Sequence, residues 1–426
     1  MPATHPTNGE RAPLIPNSTI SGATPHGDSR IWGHADHSIF SRFPKATAHL
    51  TWLTLSSNYV NVLLIFVPLG ILSGALNWGP IPTFVLNFLA IVPLAALLSF
   101  ATEELSVKLG QTLGGLMNAT FGNAVELIVS IVALARGEIR IVQASMLGSI
   151  LSNILLVLGC CFLAAGIRGG EQRFNETVAS TMSSLMFVSV CALIIPAALY
   201  SVVDGGTSND NNILVLSHYT SIVLLFIYIL YLFFQLRSHA YLFDEERTDE
   251  ENSEETEVIL KPIPASIALL VVTLIIALCA DYLVATVDDI VATGAISKTF
   301  IGLILIPIVG NAAEHVTACI VAYKGKMDLA INVAIGSSMQ IALFVTPFMV
   351  LLGWAIGQNM TLHFQGFETI CFFLSVLVVN YLIQDGKSNY LEGVLCLAMY
   401  IIIAIAFYVY PDNVKDIGES IGPFFH

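Results

Sequence analysis

Glu126 and Glu314 are the residues of this 426-residue chain best suited to chemistry. Each stands inside a long apolar run, in GNAVEL at 122–127 and in GNAAEH at 310–315. An acidic side chain at the centre of a membrane helix costs about 2.5–3.5 kcal/mol to insert, so both should face protein or water rather than lipid. Two carboxylates in one dry cavity cannot both ionise cheaply. Without a cation the pair holds protons and titrates as one coupled unit. A divalent cation removes that penalty, and hard carboxylate oxygens suit Ca²⁺ or Mn²⁺ better than a soft metal. Protons and cation then compete for the same oxygens, which is the chemistry of exchange if the empty, ionised site is too costly to switch sides.

The neighbours supply what a six-to-eight-coordinate ion still lacks. Asn123 and Asn311 lie three residues before their glutamates, on nearly the same helical face, and each offers a neutral amide oxygen. Gly122 and Gly310 lower the cost of unwinding a turn and aiming backbone carbonyls at the ion. Ser149 with Ser152, and Ser337 with Gln340, are spaced three apart on the following helices and can line the same cavity. Ser152 and Gln340 fit interhelical packing as well as they fit a ligand role. His315 fits either a tuner of proton affinity or a hydrogen-bonded structural residue.

These residues need a membrane bundle to hold them. The chain is 55% hydrophobic and 11% charged, far from the balance of a soluble enzyme. Apolar runs of roughly 20 residues, long enough for ~30 Å of hydrocarbon, fall at 59–77, 82–102, 112–135, 139–166, 178–200, 213–236, 265–290, 297–323, 327–356, 365–383 and 389–409. The expected fold is therefore an all-α polytopic membrane protein with 11 transmembrane helices. With residues 1–58 as a cytosolic arm, 13 of the 17 basic residues fall on the cytosolic side; Arg136, Arg140, Lys298 and Lys415 fall opposite. The C-terminal tail, 410–426, is then lumenal or extracellular. A glycan on Asn359 would agree with this topology, and one on Asn175 would overturn it.

Residues 122–153 align without a gap on 310–341, at a constant offset of 188. Gly122, Asn123, Ala124, Glu126, Gly137, Gly148 and Ser149 recur as Gly310, Asn311, Ala312, Glu314, Gly325, Gly336 and Ser337. The offset spans five crossings, so the second copy enters from the opposite face. Two inverted five-helix repeats, 82–236 and 265–409, follow one extra N-terminal helix, with a linker at 237–264. Inverted repeats place a substrate near the midplane between the halves.

The remaining charge is local. Nine of the 31 acidic residues crowd into 244–257: Asp244, Glu245, Glu246, Asp249, Glu250, Glu251, Glu254, Glu255 and Glu257. Such a run is ordinarily a solvated linker, and here it is also a candidate regulatory segment. Glu103 and Asp281, near helix ends, are candidates for an access funnel or secondary cation site. Glu10-Arg-Ala-Pro-Leu14-Ile15 has the form of an acidic dileucine sorting signal. The seven cysteines lack metal-ligand spacing, so neither a zinc site nor a disulfide framework is expected. No resident cofactor, nucleic acid or hydrolase triad is called for; the bilayer and the transported ions are the expected partners, and oligomeric state stays open.

TEEL at 102–105, NATFGNAVELIVS at 118–130, RIVQASMLGSILSN at 140–153, SKTFIGLILIPIVGNAAEH at 297–315 and AIGSSMQIALFVTPF at 334–348 resemble the cation/proton exchanger family, close to its fungal vacuolar Ca²⁺/H⁺ exchangers. That family lies within the superfamily containing the sodium/calcium exchangers. The resemblance covers roughly residues 55–412. It implies eleven helices, import of cytosolic Ca²⁺ into an acidic vacuole against protons, and a central site on Glu126 and Glu314 ringed by Asn123, Asn311, Ser149, Ser152, Ser337 and Gln340. Sodium/calcium exchangers typically carry Gly-Thr/Ser-Ser-x-Pro-Glu-like repeats where this chain has Gly-Asn-Ala-x-Glu. The departure favours protons over Na⁺ or K⁺ as counter-ion; a Ca²⁺-permeable channel is the reading from a different class.

Overall fold

The computed structural model describes residues 59–202, 207–242, 261–294 and 296–410. Helices dominate it: α1 Val60–Ala75, α2 Pro80–Gly110, α3 Leu113–Phe121, α4 Ala124–Ala135, α5 Ile139–Arg168, α6 Glu176–Tyr200, α7 Asn211–Ser238, α8 Pro262–Ala292, α9 Lys298–Gly310, α10 Ala312–Tyr323, α11 Met327–Ile356, α12 Gly366–Leu382 and α13 Tyr390–Val409. Among the described residues seven helices are long and apolar enough to cross a membrane, or nine spans if α3–α4 and α9–α10, bent by 47° and 55°, each count as one. One departure from an all-helical chain is a two-residue antiparallel pair, Gln172–Arg173 with Lys387–Ser388.

Burial sorts the helices. In α5 67% of the most apolar window is buried, against 28% in α13, so α5 forms the centre while α13 turns Ile401, Ile402 and Ile405 outward. Exposed Phe226, Ile229 and Leu230 on α7, and Ile267, Leu270 and Leu274 on α8, continue this apolar belt, which bare water would not tolerate at such size. Lipid supplies no hydrophobic drive between helices, so the centre is built on close approach of small residues. A Cβ on Gly148 of α5 would lie 2.1 Å from the Leu303 carbonyl oxygen of α9, and one on Gly302 would lie 2.7 Å from Ala144 Cβ. Gly159 and Gly393 play the same part between α5 and α13.

Element bounds recur at the offset found in the sequence. α4 and α10 run 124–135 and 312–323; α5 and α11 run 139–168 and 327–356. Gly137 (φ +80°) and Gly169 (φ +113°), which end α4 and α5, correspond to Gly325 (φ +87°) and Gly357 (φ +78°). An L side chain is strained in this left-handed region, so glycine ends each helix where its pair does. π-helical turns at Ser152–Val157 in α5 and Ile341–Val345 in α11 also correspond. Periodicity gives no hint of such turns, which are common at functional sites.

Three of the four basic residues expected opposite the cytosol are paired. Arg136 meets Asp281 at 2.7 Å, Lys298 meets Glu138 at 2.7 Å and Asp288 at 2.6 Å, and the Arg140 guanidinium grips the fully buried Glu368. Glu368 also accepts from the Gln365 backbone N–H at 3.1 Å, capping α12. Removing one partner of a buried pair strands the other, at about 3–5 kcal/mol. Arg140→Ala is therefore expected to destabilise more than Glu368→Gln, because Arg140 reaches solvent and Glu368 does not. Melting midpoints of the two variants in detergent check this order; a lower midpoint for Glu368→Gln would contradict it.

Candidate functional site

The helices break where the two motifs fall. The backbone leaves helical geometry at Asn123 (φ −98°, ψ 29°) and at Asn311 (φ −83°, ψ 2°), and α4 and α10 restart one residue later. Gly122 itself keeps helical angles (φ −56°, ψ −44°), so the expected unwinding at the glycines belongs instead to the asparagines. Asparagine tolerates this bridge geometry through its short polar side chain. The glycines serve close approach. A Cβ on Gly310 would stand 2.7 Å from Glu126 Oε1, and one on Gly122 would stand 3.8 Å from Glu314 Oε1. Each carboxylate thus lies against the helix break that carries the other motif. Glu126 and Glu314 occupy the first turns of α4 and α10, where unpaired backbone N–H groups favour negative charge.

Neither asparagine caps its helix with its side chain, which leaves both amides for the site. Asn123 Nδ2 donates to Gln340 Oε1 at 2.6 Å, turning Asn123 Oδ1 toward Ser337 Oγ, 2.7 Å away. Ser337 Oγ also lies 2.9 Å from Glu314 Oε2 and accepts from Asn153 Nδ2 at 3.1 Å. One hydroxyl proton cannot serve both Asn123 and Glu314 at once, so with Glu314 ionised one of these two oxygens goes without the Ser337 proton. Asn311 Nδ2 donates to the Ser149 carbonyl at 3.4 Å, and its Oδ1 is buried without a hydrogen-bond partner. Asn123 therefore reaches α11, and Asn311 reaches α5.

On the Glu126 side a cavity with about 20 Å³ of room for water centres is lined by Glu126, Ser130, Ser145, Ser149 and Gly310, with apolar side chains around them. That is space for one water or one small ion. Ser130 and Ser145, and Asn153 beside Ser337, were not singled out in the sequence. Ser130 could have been, since it lies four residues beyond Glu126 on the same face of α4; its Oγ is buried without a hydrogen-bond partner. Asn153 has no polar counterpart 188 residues on, where Ile341 stands.

Ser152 is buried at the start of the α5 π-helical turn. Unpaired buried oxygens on Asn311 and Ser130, beside two carboxylates, are the donor set a hard cation takes and a soft one does not. Asp281, expected to line an access funnel, gives its carboxylate to Arg136 instead. A guanidinium in direct contact cancels the charge that would attract a cation. Glu103 is exposed on α2. The acidic run 244–257 and the dileucine-like segment lie outside the described residues.

A family model described as sodium/calcium exchanger protein matches residues 80–237 and 265–409. The chain is 51% identical over 364 residues to a vacuolar calcium ion transporter of Schizosaccharomyces pombe, covering 85% of this chain and 88% of that one. It is 42% identical over 366 residues to a Ca²⁺/H⁺ antiporter of Aphanothece halophytica, covering 84% and 97%. The solved structure of native YfkE is similar with a TM-score of 0.71 and 35% identity, covering 82% of this chain and 100% of that one. With its two matched segments lying on either side of the linker and each carrying one of the paired glutamates, the chain belongs to the sodium/calcium exchanger protein family.

Proposed function

We propose that this protein is a secondary antiporter that moves cytosolic Ca²⁺, with Mn²⁺ as a second substrate, into an acidic vacuole in exchange for protons. The observation that carries this reading is the reciprocal packing of Glu126 on Gly310 and of Gly122 on Glu314. It joins two carboxylates from corresponding turns of the two copies, and oxygen donors from both copies surround them. Relatives named as vacuolar calcium transporter and Ca²⁺/H⁺ antiporter support the choice of ions and membrane.

Eleven crossings follow if α3–α4 and α9–α10 are single broken spans and the shorter α1 and α12 also cross. Residues 82–236 and 265–409 are then inverted five-helix repeats behind one extra helix at 59–77, with a cytosolic arm at 1–58, a linker at 237–264 and a lumenal tail at 410–426. Contacts between helix ends support this alternation of sides. Arg173 pairs with Lys387 across the two-residue sheet, and Arg168 donates to the Tyr323 carbonyl at 3.0 Å; all four fall at the cytosolic end. Lys298 with Glu138, and Arg140 with Glu368, join ends assigned to the lumen.

In the cycle, cytosolic Ca²⁺ displaces protons from the two carboxylates. The Ca²⁺-loaded site, with its charge compensated, turns to the lumen. There a high proton concentration wins the same oxygens, and the protonated pair, also neutral, returns. The ionised empty pair is the state the membrane penalises, and that penalty couples the two fluxes. Purified protein in liposomes with an acidic interior is expected to take up Ca²⁺ and release protons together, without Na⁺ or K⁺. Uptake that survives collapse of the proton gradient, or that releases no protons, would sink the proposal.

A further inference from the structure

The fold assembles a second set of metal ligands that the cysteine spacing alone does not announce. His315 and Cys319 are four residues apart on α10, hence on one face, and Cys160 comes to them from α5. One ligand atom from each of the three lies within 4.8 Å of the other two, and all three residues are partly exposed. The cysteines alone carry no metal-ligand spacing; with the histidine the chain has an H-x₃-C pair, and tertiary packing delivers the third ligand. Tetrahedral zinc, with bonds of about 2.0–2.3 Å, needs ligand atoms roughly 3.3–3.8 Å apart. The observed spread exceeds that spacing by about 1 Å at most, and partial exposure of all three residues gives water access to the fourth corner.

We infer that Cys160, His315 and Cys319 form a site for a thiophilic divalent cation of the Zn²⁺ or Cd²⁺ class, separate from the carboxylate site and able to arrest it. Two thiolates and an imidazole select soft and borderline ions, whereas the oxygen set on Glu126 and Glu314 selects hard ones. His315 directly follows Glu314 in α10, and α10 packs on the α5 segment carrying Cys160. A metal bridging them ties the helix bearing one transport carboxylate to its neighbour. The cluster lies one turn from Tyr323, at the end where Arg168 holds the Tyr323 carbonyl. That end is assigned to the reducing cytosol, where thiols stay free to bind. The arrest rests on the proposed antiport; the binding does not.

Reduced, full-length protein titrated with Cd²⁺ is expected to develop the ultraviolet charge-transfer band of cadmium thiolates, saturating at one ion. Cys160→Ser and Cys319→Ser should each halve that band and weaken binding at least about tenfold, while Cys279→Ser, a buried cysteine elsewhere, leaves it unchanged. In liposomes both variants should keep Ca²⁺ uptake and lose its block by micromolar Cd²⁺. Retained uptake also reports folding; should Cys319→Ser lose it, Cys160→Ser, on a different helix, carries the same test. No band in the parent protein, or a band untouched in both variants, overturns the site. A normal band change with Cd²⁺ block unrelieved leaves the site standing and removes its control of transport.

Discussion

Glu126→Gln and Glu314→Gln are each expected to reduce Ca²⁺ uptake driven by a pH gradient to background, at least about a hundredfold, while the protein stays folded. Ligand charge tunes oxygen sites for Ca²⁺ over several decades, and each substitution leaves a single carboxylate against a divalent ion. Glutamine has nearly the shape and polarity of the protonated acid, so the proton-loaded state keeps its packing and the melting midpoint should barely move. A Gln can neither release a proton nor balance the ion, which removes both arms of the cycle. Isotopic Ca²⁺ uptake into vesicles, read beside a melting curve, checks both halves of the claim. Normal uptake by either variant would remove that glutamate from the transport site.

Adding one methyl group at Gly310 is expected to damage the same site without removing a charge. The Cβ of Gly310→Ala would stand 2.7 Å from Glu126 Oε1 and 3.3 Å from its carboxyl carbon, closer than van der Waals contact allows. Since the carboxylate ends a flexible side chain, it yields rather than the backbone, and it moves out of register with the oxygens around it. Overpacking of this kind costs about 1–3 kcal/mol; borne by the Ca²⁺-loaded state alone, that is a roughly 5- to 150-fold loss of apparent Ca²⁺ affinity. Gly122→Ala differs, because its methyl reaches Glu314 Oε1 only at 3.8 Å but meets the Asn118 carbonyl at 2.7 Å. Its cost falls on the last turn of α3 and should appear as lost stability. Concentration dependence of uptake, measured for both variants, separates the two. An unchanged half-saturation in Gly310→Ala would mean that Glu126 does not hold its carboxylate against Gly310 during transport.

A mid-run glutamate is conspicuous in the sequence because lipid makes it costly, and the 188-residue offset because polar and glycine positions match along it. Asn123, Ser337 and Gln340 followed from spacing on helical faces, and the structure brings them into one hydrogen-bonded cluster with Glu314. Other features depend on which helices become neighbours. Spacing could not reveal that Asp281 would meet Arg136, 145 residues away, nor that Cys160 would meet His315. Glycine positions alone do not locate the helix break either. Glycine permits both a break and a close approach, and the site of the break is decided by the residue that leaves helical angles, here asparagine.

The pairing of Arg140 with Glu368 bears on how the chain is made. The partners are separated by 228 residues, which at about 5–20 residues per second leaves Arg140 without this carboxylate for roughly ten to fifty seconds after it emerges. During that interval α5, the most buried helix of the finished bundle, must wait with its charged end at the water boundary. The first segment can be threaded into the membrane early, but this contact closes only when α12 arrives. The salt bridge is thereby a contact that only the late part of the chain can complete.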